Sequence, residues 1–256
     1  MIKEESRFAS STVFEGMTSI RAILDNLKEG KKNARAIEKI LYDKEKEKSK
    51  SKEIGYLKKM SELFGFEIVC TDAKTIEEYT VGASHGGIIA ICKERSCPTL
   101  SLNDIKENGF YVMIEGIEDP YNFGYALRSL YAAGVDGIVL SERNWLSAAG
   151  VVCRSSAGAS ESFDTYIACD GFIDLFREKG YKIICADLKN SVSVYETDLK
   201  KPIFLIVGGE KRGLSSAILS QADKIVRIDY GRQFNAALSA ASAATILAFE
   251  IFRNNK

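Results

Sequence analysis

The sequence lacks the features that mark membrane, secreted and zinc-binding proteins. No apolar run approaches the roughly 18 residues that a membrane helix needs, and residues 1–7 have no apolar core of the kind found in a signal peptide. The chain has six cysteines, but none of them forms the C-x-x-C pair typical of a zinc site. We therefore predict a cytoplasmic protein without a metal, whose cysteines are reduced and buried.

The chain also lacks net charge, because 35 basic residues balance 35 acidic ones. A global attraction to a polyanion is thus excluded, although the charge is unevenly distributed. Residues 28–59 contain twelve Lys or Arg and six Asp or Glu, an excess of +6. The mixed run at 43–48 is typical of a solvated helix or loop, and contact with phosphate is the alternative.

The apolar pattern divides the 256 residues into two α/β parts, which suits two modest domains. Between about residue 14 and residue 92 it predicts helices at 20–27, 34–40, 54–64 and 76–79, strands at 66–70 and 87–92, and a charged loop before residue 54. Residues 93–98 then break the pattern with charge and proline, which indicates a linker.

After residue 109, apolar strands alternate with helical patterns. The strands are predicted at 110–114, 137–140, 182–186, 203–207 and 224–228. Such alternation predicts a mostly parallel sheet covered by helices, and ligands bind these sheets beyond the carboxyl ends of the strands. The last helix, at 236–252, is rich in Ala and Ser, which favours close packing on the sheet or on a partner subunit.

The first of these strands leads into a turn that can expose backbone amides. Asp119-Pro120 and Asn122-x-Gly124 form the turn, and the following helix carries Arg128 one turn beyond Gly124. A guanidinium presents five donors in a fixed fork that suits phosphate. An equally consistent alternative is an arginine that holds the turn by pairing with one of its acidic residues. Those residues are Glu115, Glu118 and Asp119.

A glycine-rich turn follows the fourth strand. Gly208 and Gly213 have the spacing of a phosphate loop, but such a loop requires Lys and then Ser or Thr after the second glycine. Leu214 and Ser215 stand there instead, which excludes a phosphate-loop nucleotide hydrolase. What remains is a turn in which a flat ligand can lie against the backbone, with one carboxylate, Glu210, within it.

A third segment joins the fifth strand to the last helix through a polar loop. The loop begins with Asp229-Tyr230-Gly231-Arg232 and leads through Asn235 to Leu238 and Ser239. By itself this segment predicts little, because Gly-Arg-Gln is common in loops.

Together the three segments resemble the signature motifs of the SpoU/TrmH class of SPOUT RNA methyltransferases. The matches are Asp119-Pro120-x-Asn122-x-Gly124-x-x-x-Arg128, then Gly208-x-Glu210-x-x-Gly213-Leu214, then Ala237-Leu238-Ser239 through Phe249-Glu250. Ser156-Ala157-Gly158-Ala159 resembles a recurrent segment between the first two motifs. Near the amino terminus, Gly16-x-x-x-Ile20-x-x-x-Leu24 and residues 85–90 resemble the class's small substrate-binding domain of the ribosomal-protein L30 type.

The resemblance implies a carboxyl-terminal α/β trefoil-knot (SPOUT) methyltransferase domain at 109–256. A small L30-like α/β domain at 1–97, which binds the RNA substrate, and a linker at 98–108 are expected to precede it. The resemblance also implies S-adenosylmethionine as cofactor, a homodimer, and RNA but not DNA as partner. The expected reaction transfers a methyl group to a ribose 2′-hydroxyl of rRNA or tRNA.

The resemblance further implies the residues of the site. The cofactor is expected against Gly208, Gly209, Gly213, Ile228 and Leu238, and the catalytic residues are expected to be Asn122, Arg128, Glu210 and Ser239. The class usually has Asn where this chain has Ser239, and a hydroxyl is shorter than an amide although it also donates and accepts. The loop before it is one residue longer, which makes Asn235 a substitute contact for the cofactor.

A non-catalytic RNA-binding or ribosome-assembly factor that retains the knot is the alternative hypothesis. Ser239 favours this alternative, whereas Asn122, Arg128 and Glu210 favour the enzyme. The single histidine, His85, lies far in sequence from the motifs. We predict that it packs in the small domain or contacts substrate, and does not act as a general base.

Overall fold

The computed structural model describes residues 12–31, 33–80, 85–141, 148–209 and 211–256, which form two compact units. The first unit takes the described parts of Met1–Ser96 and Asn144–Ser162. The second takes those of Cys97–Arg143 and Phe163–Lys256. The chain therefore leaves the second unit once and returns to it, and residues 98–108, expected as a linker, belong to the second unit.

The described residues contain the following helices and strands. The strands are β1 (Val13–Glu15), β2 (Ile37–Asp43), β3 (Glu67–Thr71), β4 (Ile88–Cys92), β5 (Phe110–Glu115), β6 (Gly137–Leu140), β7 (Asp164–Ile167), β8 (Lys182–Ala186), β9 (Val192–Ser193), β10 (Ile203–Gly208) and β11 (Lys224–Arg227). The α-helices are α1 (Gly16–Lys28), α2 (Ser51–Phe64), α3 (Ala73–Tyr79), α4 (Pro120–Ala132), α5 (Ala149–Ser155), α6 (Ala159–Ser162), α7 (Phe172–Glu178), α8 (Ser216–Leu219) and α9 (Ala240–Asn254).

A mixed four-stranded sheet, in the order β1-β4-β2-β3, forms the centre of the first unit. β2 and β3 are parallel, and β4 runs antiparallel to β1 and β2. Successive side chains of a strand point to opposite faces. Ile88 and Ala90 accordingly belong to the core beneath α1 and α2, while Ile89 packs with Ile76 of α3.

The helices α5 and α6 come from the middle of the chain and pack on β1 and α1 of the first unit. Glu161 of α6 pairs with Arg35 at 3.1 Å, and only 3% of the arginine side chain and 4% of the glutamate side chain are exposed. The backbone carbonyl of Glu161 also accepts a hydrogen bond from Asn26 Nδ2 at 2.6 Å. These buried polar contacts fix α6 to the first unit.

A seven-stranded sheet, in the order β7-β6-β5-β10-β8-β11-β9, forms the centre of the second unit. Every pair of neighbouring strands described in it is parallel. α7 and α8 contribute to the core on one face, where the rings of Phe176 and Phe204 stack at 4.0 Å between centroids. α9 packs against β10 and α4. The carboxyl ends of all these strands lie at one edge, where a ligand is expected.

The five strands predicted after residue 109 are confirmed, but part of the first half was predicted wrongly. A helix was expected at 34–40, whereas residues 37–43 form β2, the strand between β4 and β3. Ile37 and Ile40 have helical spacing, but pairing with two neighbouring strands outweighs this local signal. The charged loop before residue 54 also contains a 3₁₀ turn at Lys44–Lys46 and the first residues of α2.

The six cysteines are free, and three of them, Cys92, Cys153 and Cys185, are buried. Burial raises the pKa of the Cys92 and Cys185 thiols to about 12, because the charged thiolate loses its hydration. Cys70 is exposed, so the prediction that the cysteines are buried was wrong for this residue. No helix among the described residues is long and apolar enough to span a bilayer.

Candidate active site

The first motif lies where β5 ends and α4 begins. Asp119 caps α4 by accepting a hydrogen bond from Tyr121 N at 2.7 Å, and Pro120 occupies the first turn of the helix. Asn122 is half-buried in the same turn, and Arg128 is exposed farther along α4. The cap explains why the chain turns into a helix directly after Asp119.

The acidic residues of this turn are engaged elsewhere. Glu118 Oε2 accepts from Lys211 Nζ at 2.6 Å, and Glu115 Oε2 accepts from Ser215 N at 3.2 Å. Within the described residues, the Arg128 guanidinium has no hydrogen bond or ion pair. The geometry therefore argues against an arginine that holds the turn by an ion pair. The Arg128 side chain remains available to bind another molecule.

The second motif is a tight turn that only glycine fits. A Cβ atom at Gly208 would lie 2.5 Å from the carbonyl carbon of Gly213, and Gly213 has a φ of +63°. A Cβ atom at Gly209 would collide with the carbonyl of Gly116, which directly follows β5. Glycine at 208 and 209 thus allows the turn to close on itself and to contact the loop after β5.

The third motif is closed by a tyrosine that sequence reasoning missed. The Tyr230 hydroxyl accepts a hydrogen bond from Leu238 N at 3.2 Å and so joins the two ends of the loop. At the beginning of the loop, Asp229 pairs with Arg227 at 2.8 Å. A hydrogen bond from Ser193 and the nearby Arg227 lower the pKa of the Asp229 carboxyl, which keeps it ionised.

Ser239 is the N-cap of α9 in this structure. Its Oγ accepts a hydrogen bond from Ser242 N at 3.1 Å and lies 3.0 Å from Ser242 Oγ. The helix therefore begins at Ala240, four residues later than the sequence predicted. Residues 236–239 remain in the loop, where Ala237 and Leu238 line a cavity.

This cavity, called the cofactor cavity below because the sequence predicts the cofactor there, has a volume of about 300 Å³ and lies at the carboxyl ends of β8, β10 and β11. Its lining residues are Ala186, Asp187, Leu188, Lys189, Val207, Gly208, Gly209, Gly213, Val226, Arg227, Ile228, Tyr230, Ala237, Leu238, Ala240, Ala243 and Leu247. The lining is mainly aliphatic side chains and glycine backbone, which suits a flat, partly apolar ligand. Five of the six residues expected to contact the cofactor, all except Asn235, line it together.

One wall of the cofactor cavity, Ala186–Lys189, was not predicted as part of the site. They are the last residue of β8 and the three residues after it, and β8 lies between β10 and β11 in the sheet. The position of β8 brings them between the second and third motifs. The available signal was the rule that ligands bind at strand ends, but applying it to β8 requires the strand order.

A second cavity of about 510 Å³ lies between the loop after β5 and the second motif. It shares Gly209 and Gly213 with the cofactor cavity, and Glu115, Glu118, Lys211 and Arg212 supply its charged groups. Among the described residues, neither Asn122 nor Arg128 lines either cavity. Glu210, expected to be catalytic, lies outside the described residues.

His85 lies in the first unit, away from these motifs in sequence. It is 7% exposed, and its Nδ1 accepts a hydrogen bond from Gly87 N at 3.0 Å. This burial agrees with the prediction that it is a packed residue.

The model of the SpoU rRNA Methylase family matches residues 109–249, more than half of the chain. The 23S rRNA (guanosine-2'-O-)-methyltransferase RlmB of Shewanella oneidensis is 27% identical over 206 residues, which cover 77% of this chain and 82% of that protein. A candidate TrmH family tRNA/rRNA methyltransferase of Staphylococcus saprophyticus subsp. saprophyticus is 28% identical over 144 residues. That alignment covers 56% of this chain and 57% of the relative, so it spans little more than half of the relative's length.

Two solved structures have a similar fold. The AdoMet-bound rRNA methyltransferase of Sinorhizobium meliloti has a TM-score of 0.76 and 24% identity, over 98% of this chain and 89% of that one. The SpoU methyltransferase AviRb of Streptomyces viridochromogenes, in complex with AdoMet, has a TM-score of 0.75 and 20% identity, over 94% and 89%. The predicted α/β fold with a parallel sheet is confirmed.

Proposed function

Because the chain belongs to the SpoU rRNA methylase family, it is an RNA methyltransferase that uses S-adenosylmethionine, and we propose that it methylates a ribose 2′-hydroxyl of rRNA or tRNA. The observation that carries this proposal is the cofactor cavity, in which residues of the second and third motifs meet. The name of the relative RlmB, a guanosine-2'-O-methyltransferase of 23S rRNA, supports ribose as the methylated group.

We propose that S-adenosylmethionine lies in the cofactor cavity against the backbone of Gly208, Ile228 and Leu238. The absence of side chains at Gly208 and Gly213 supports this, because a Cβ at Gly208 would disturb the turn that forms the wall. Val207 and Leu247 offer aliphatic surface to a flat base. Gly209 completes the wall, and Asn235 is the proposed polar contact from the loop. The bound cofactor supplies an electrophilic methyl group on a positively charged sulfur.

The chain's own residues must position the ribose and help to remove the proton of a hydroxyl that is a poor acid. We assign this work to Asn122, Arg128, Glu210 and Ser239. Arginine gives up its proton very reluctantly, so Arg128 binds phosphate or stabilises the developing alkoxide, and the proton leaves through a neighbouring group or water. The exposed guanidinium of Arg128, which has no partner among the described residues, supports this role.

We propose that two copies of the chain associate through α4 and α9, which pack against each other. Each helix exposes large apolar side chains: Tyr121 and Tyr125 on α4, and Phe249 and Phe252 on α9, all between 41% and 53% exposed. Exposed apolar patches of this kind mark interaction surfaces. A second copy is the occupant that family membership favours.

We also propose the finer features of the fold and the roles of its parts. The trefoil-knot methyltransferase domain, expected at 109–256, corresponds to the second unit, and the first unit, which also takes the described part of Asn144–Ser162, is the L30-like domain that binds the RNA substrate. Family membership supports the knot, and the +6 excess of charge at 28–59 supports contact with RNA. The proposed substrates, rRNA or tRNA, support a location in the cytoplasm.

The experiment that tests the proposed function is a transfer assay. The purified protein is incubated with methyl-labelled S-adenosylmethionine and RNA from cells that lack the gene, and the digested RNA is analysed by mass spectrometry. A labelled 2′-O-methylnucleoside is the expected product, whereas label on a base would overturn the proposal. An assembly factor would bind S-adenosylmethionine in calorimetry and bind RNA, but would transfer no label.

A further inference from the structure

Two of the three unspecified positions of the second motif carry cations that line the second cavity. Lys211 and Arg212 lie between Glu210 and Gly213, where the motif prescribes no residue type. Both side chains are exposed. The cavity therefore offers two positive charges directly beside the cofactor cavity, with which it shares Gly209 and Gly213.

Lys211 is held by a contact that is easily exchanged. Its Nζ lies 2.6 Å from Glu118 Oε2, but the side chains of Lys211 and Glu118 are 75% and 48% exposed. Exposed ion pairs of this kind contribute little to stability, because water already solvates both charges well. A phosphate can thus replace the Glu118 carboxylate at little cost.

Arg212 is available for binding. It has no hydrogen bond or ion pair with any residue in the described ranges. Its planar fork can donate two parallel hydrogen bonds to phosphate oxygens.

Glu115, the other acidic residue among the described ones that line the cavity, does not compete for these cations. Glu115 Oε2 accepts from the backbone N of Ser215 at 3.2 Å, so its carboxylate is turned toward the segment before α8. Glu118 and Glu115 therefore each accept a hydrogen bond from a different donor before any ligand binds.

We propose that Lys211 and Arg212 bind a backbone phosphate of the RNA beside the target ribose, and that Glu118 holds Lys211 in place until the phosphate replaces it. A nucleotide bound in this way has its ribose at the boundary between the two cavities. The inference rests on the proposed function, because it takes RNA as the substrate. It adds a phosphate site to the cofactor site.

The test compares Arg212→Ala and Arg212→Lys with the wild type. Binding of RNA from cells that lack the gene is measured by fluorescence anisotropy over a series of salt concentrations, and methyl transfer gives KM and kcat. Arg212→Ala is expected to raise KM for RNA about tenfold, since it loses a charged hydrogen bond. The slope of log Kd against log salt should fall by about 1. Arg212→Lys should recover the slope, because it restores the charge.

Lys224→Ala is the matched control, since Lys224 is an exposed cation at the start of β11, the end of the strand opposite the site. It should leave KM and the salt slope unchanged. Glu118→Gln should strengthen RNA binding, because it removes the carboxylate that competes with phosphate for Lys211. Weaker binding by Glu118→Gln would contradict the exchange.

The possible failures can be distinguished. If the wild type methylates no RNA, the proposed function itself is wrong. If the wild type methylates RNA and Arg212→Ala retains the wild-type KM and salt slope, only the phosphate site is wrong. Calorimetry with S-adenosylmethionine and a thermal melt accompany each variant, and both should give wild-type values, because a phosphate contact affects neither the cofactor cavity nor the fold.

Discussion

The carbonyl group of Gly116 lies so close to Cα of Gly209 that no side chain fits at position 209. Gly116 follows β5 and Gly209 follows β10, two strands that are neighbours in the parallel sheet. The contact therefore joins the loop after β5, which leads into the first motif and Arg128, to the wall of the cofactor cavity.

Gly209→Ala should weaken cofactor binding and the fold together. The new Cβ collides with the Gly116 carbonyl, so both loops must move, and overpacking of this kind costs about 1–3 kcal/mol. We expect at least a tenfold loss of affinity for S-adenosylmethionine, on the order of 1.4 kcal/mol, measured by calorimetry, and a lower free energy of unfolding in urea. The control is Gly231→Ala, where a Cβ meets nothing within 4 Å. Wild-type affinity and stability in Gly209→Ala would contradict the contact.

Glu161→Gln should destabilise the protein. The substitution leaves Arg35 buried without its counter-charge, and breaking a buried ion pair costs about 3–5 kcal/mol. Urea unfolding followed by circular dichroism measures the loss. Asp198→Asn is the control, because Asp198 pairs with Lys182 on the exposed surface and its removal should change little. The account of α6 is wrong if both variants lose the same stability.

The structure shows which parts of the fold a local pattern can reveal. The buried parallel strands β5 and β10 are continuous apolar runs, so the sequence predicted them within one residue. Besides β2, three strands were not predicted: β1, β9 and β7, which have three, two and four residues. Strands this short contain too few residues for the alternation of apolar and polar side chains to be recognised.

Residues of the candidate site could be predicted from the sequence where a single motif determines their role. Gly208 and Gly213 follow from the turn itself, since the backbone conformation excludes side chains. Tyr230 and the wall after β8 were missed, because their roles depend on loop closure and on strand order, which no single segment encodes. Ser239 was expected to act in catalysis, and its hydrogen bond from Ser242 N gives it a capping role that the sequence did not suggest.

Aspartate in place of Tyr125 or Phe252 should dissociate the proposed homodimer. Each substitution introduces a charge into an apolar patch on α4 or α9, where an interface would desolvate it. Light scattering after size exclusion should give the mass of a dimer for the wild type and of a monomer for the variants. Leu63→Asp is the matched control, because Leu63 is 64% exposed on α2 of the first unit. Dimeric variants, or a monomeric wild type, would show that this surface has another role.

Arg128→Lys should lower activity without shifting its pH dependence. Lysine keeps the positive charge but lacks the planar fork, so we expect about a tenfold lower kcat/KM for RNA, on the order of 1.4 kcal/mol. The pH dependence of the rate should match that of the wild type. An arginine that only binds phosphate or stabilises charge neither gains nor loses a proton over the pH range of the assay. A shifted profile would indicate that Arg128 accepts the proton. Activity close to wild type with an unshifted profile would exclude any special role for it.

The most direct test of ribose methylation is a map of 2′-O-methylation across total RNA. Cells with the gene, cells without it, and cells that carry only Arg128→Ala are compared at every nucleotide. The account predicts that a ribose methylation in rRNA or tRNA disappears without the gene, returns with the wild-type gene, and is reduced with Arg128→Ala. Identical maps with and without the gene would contradict it.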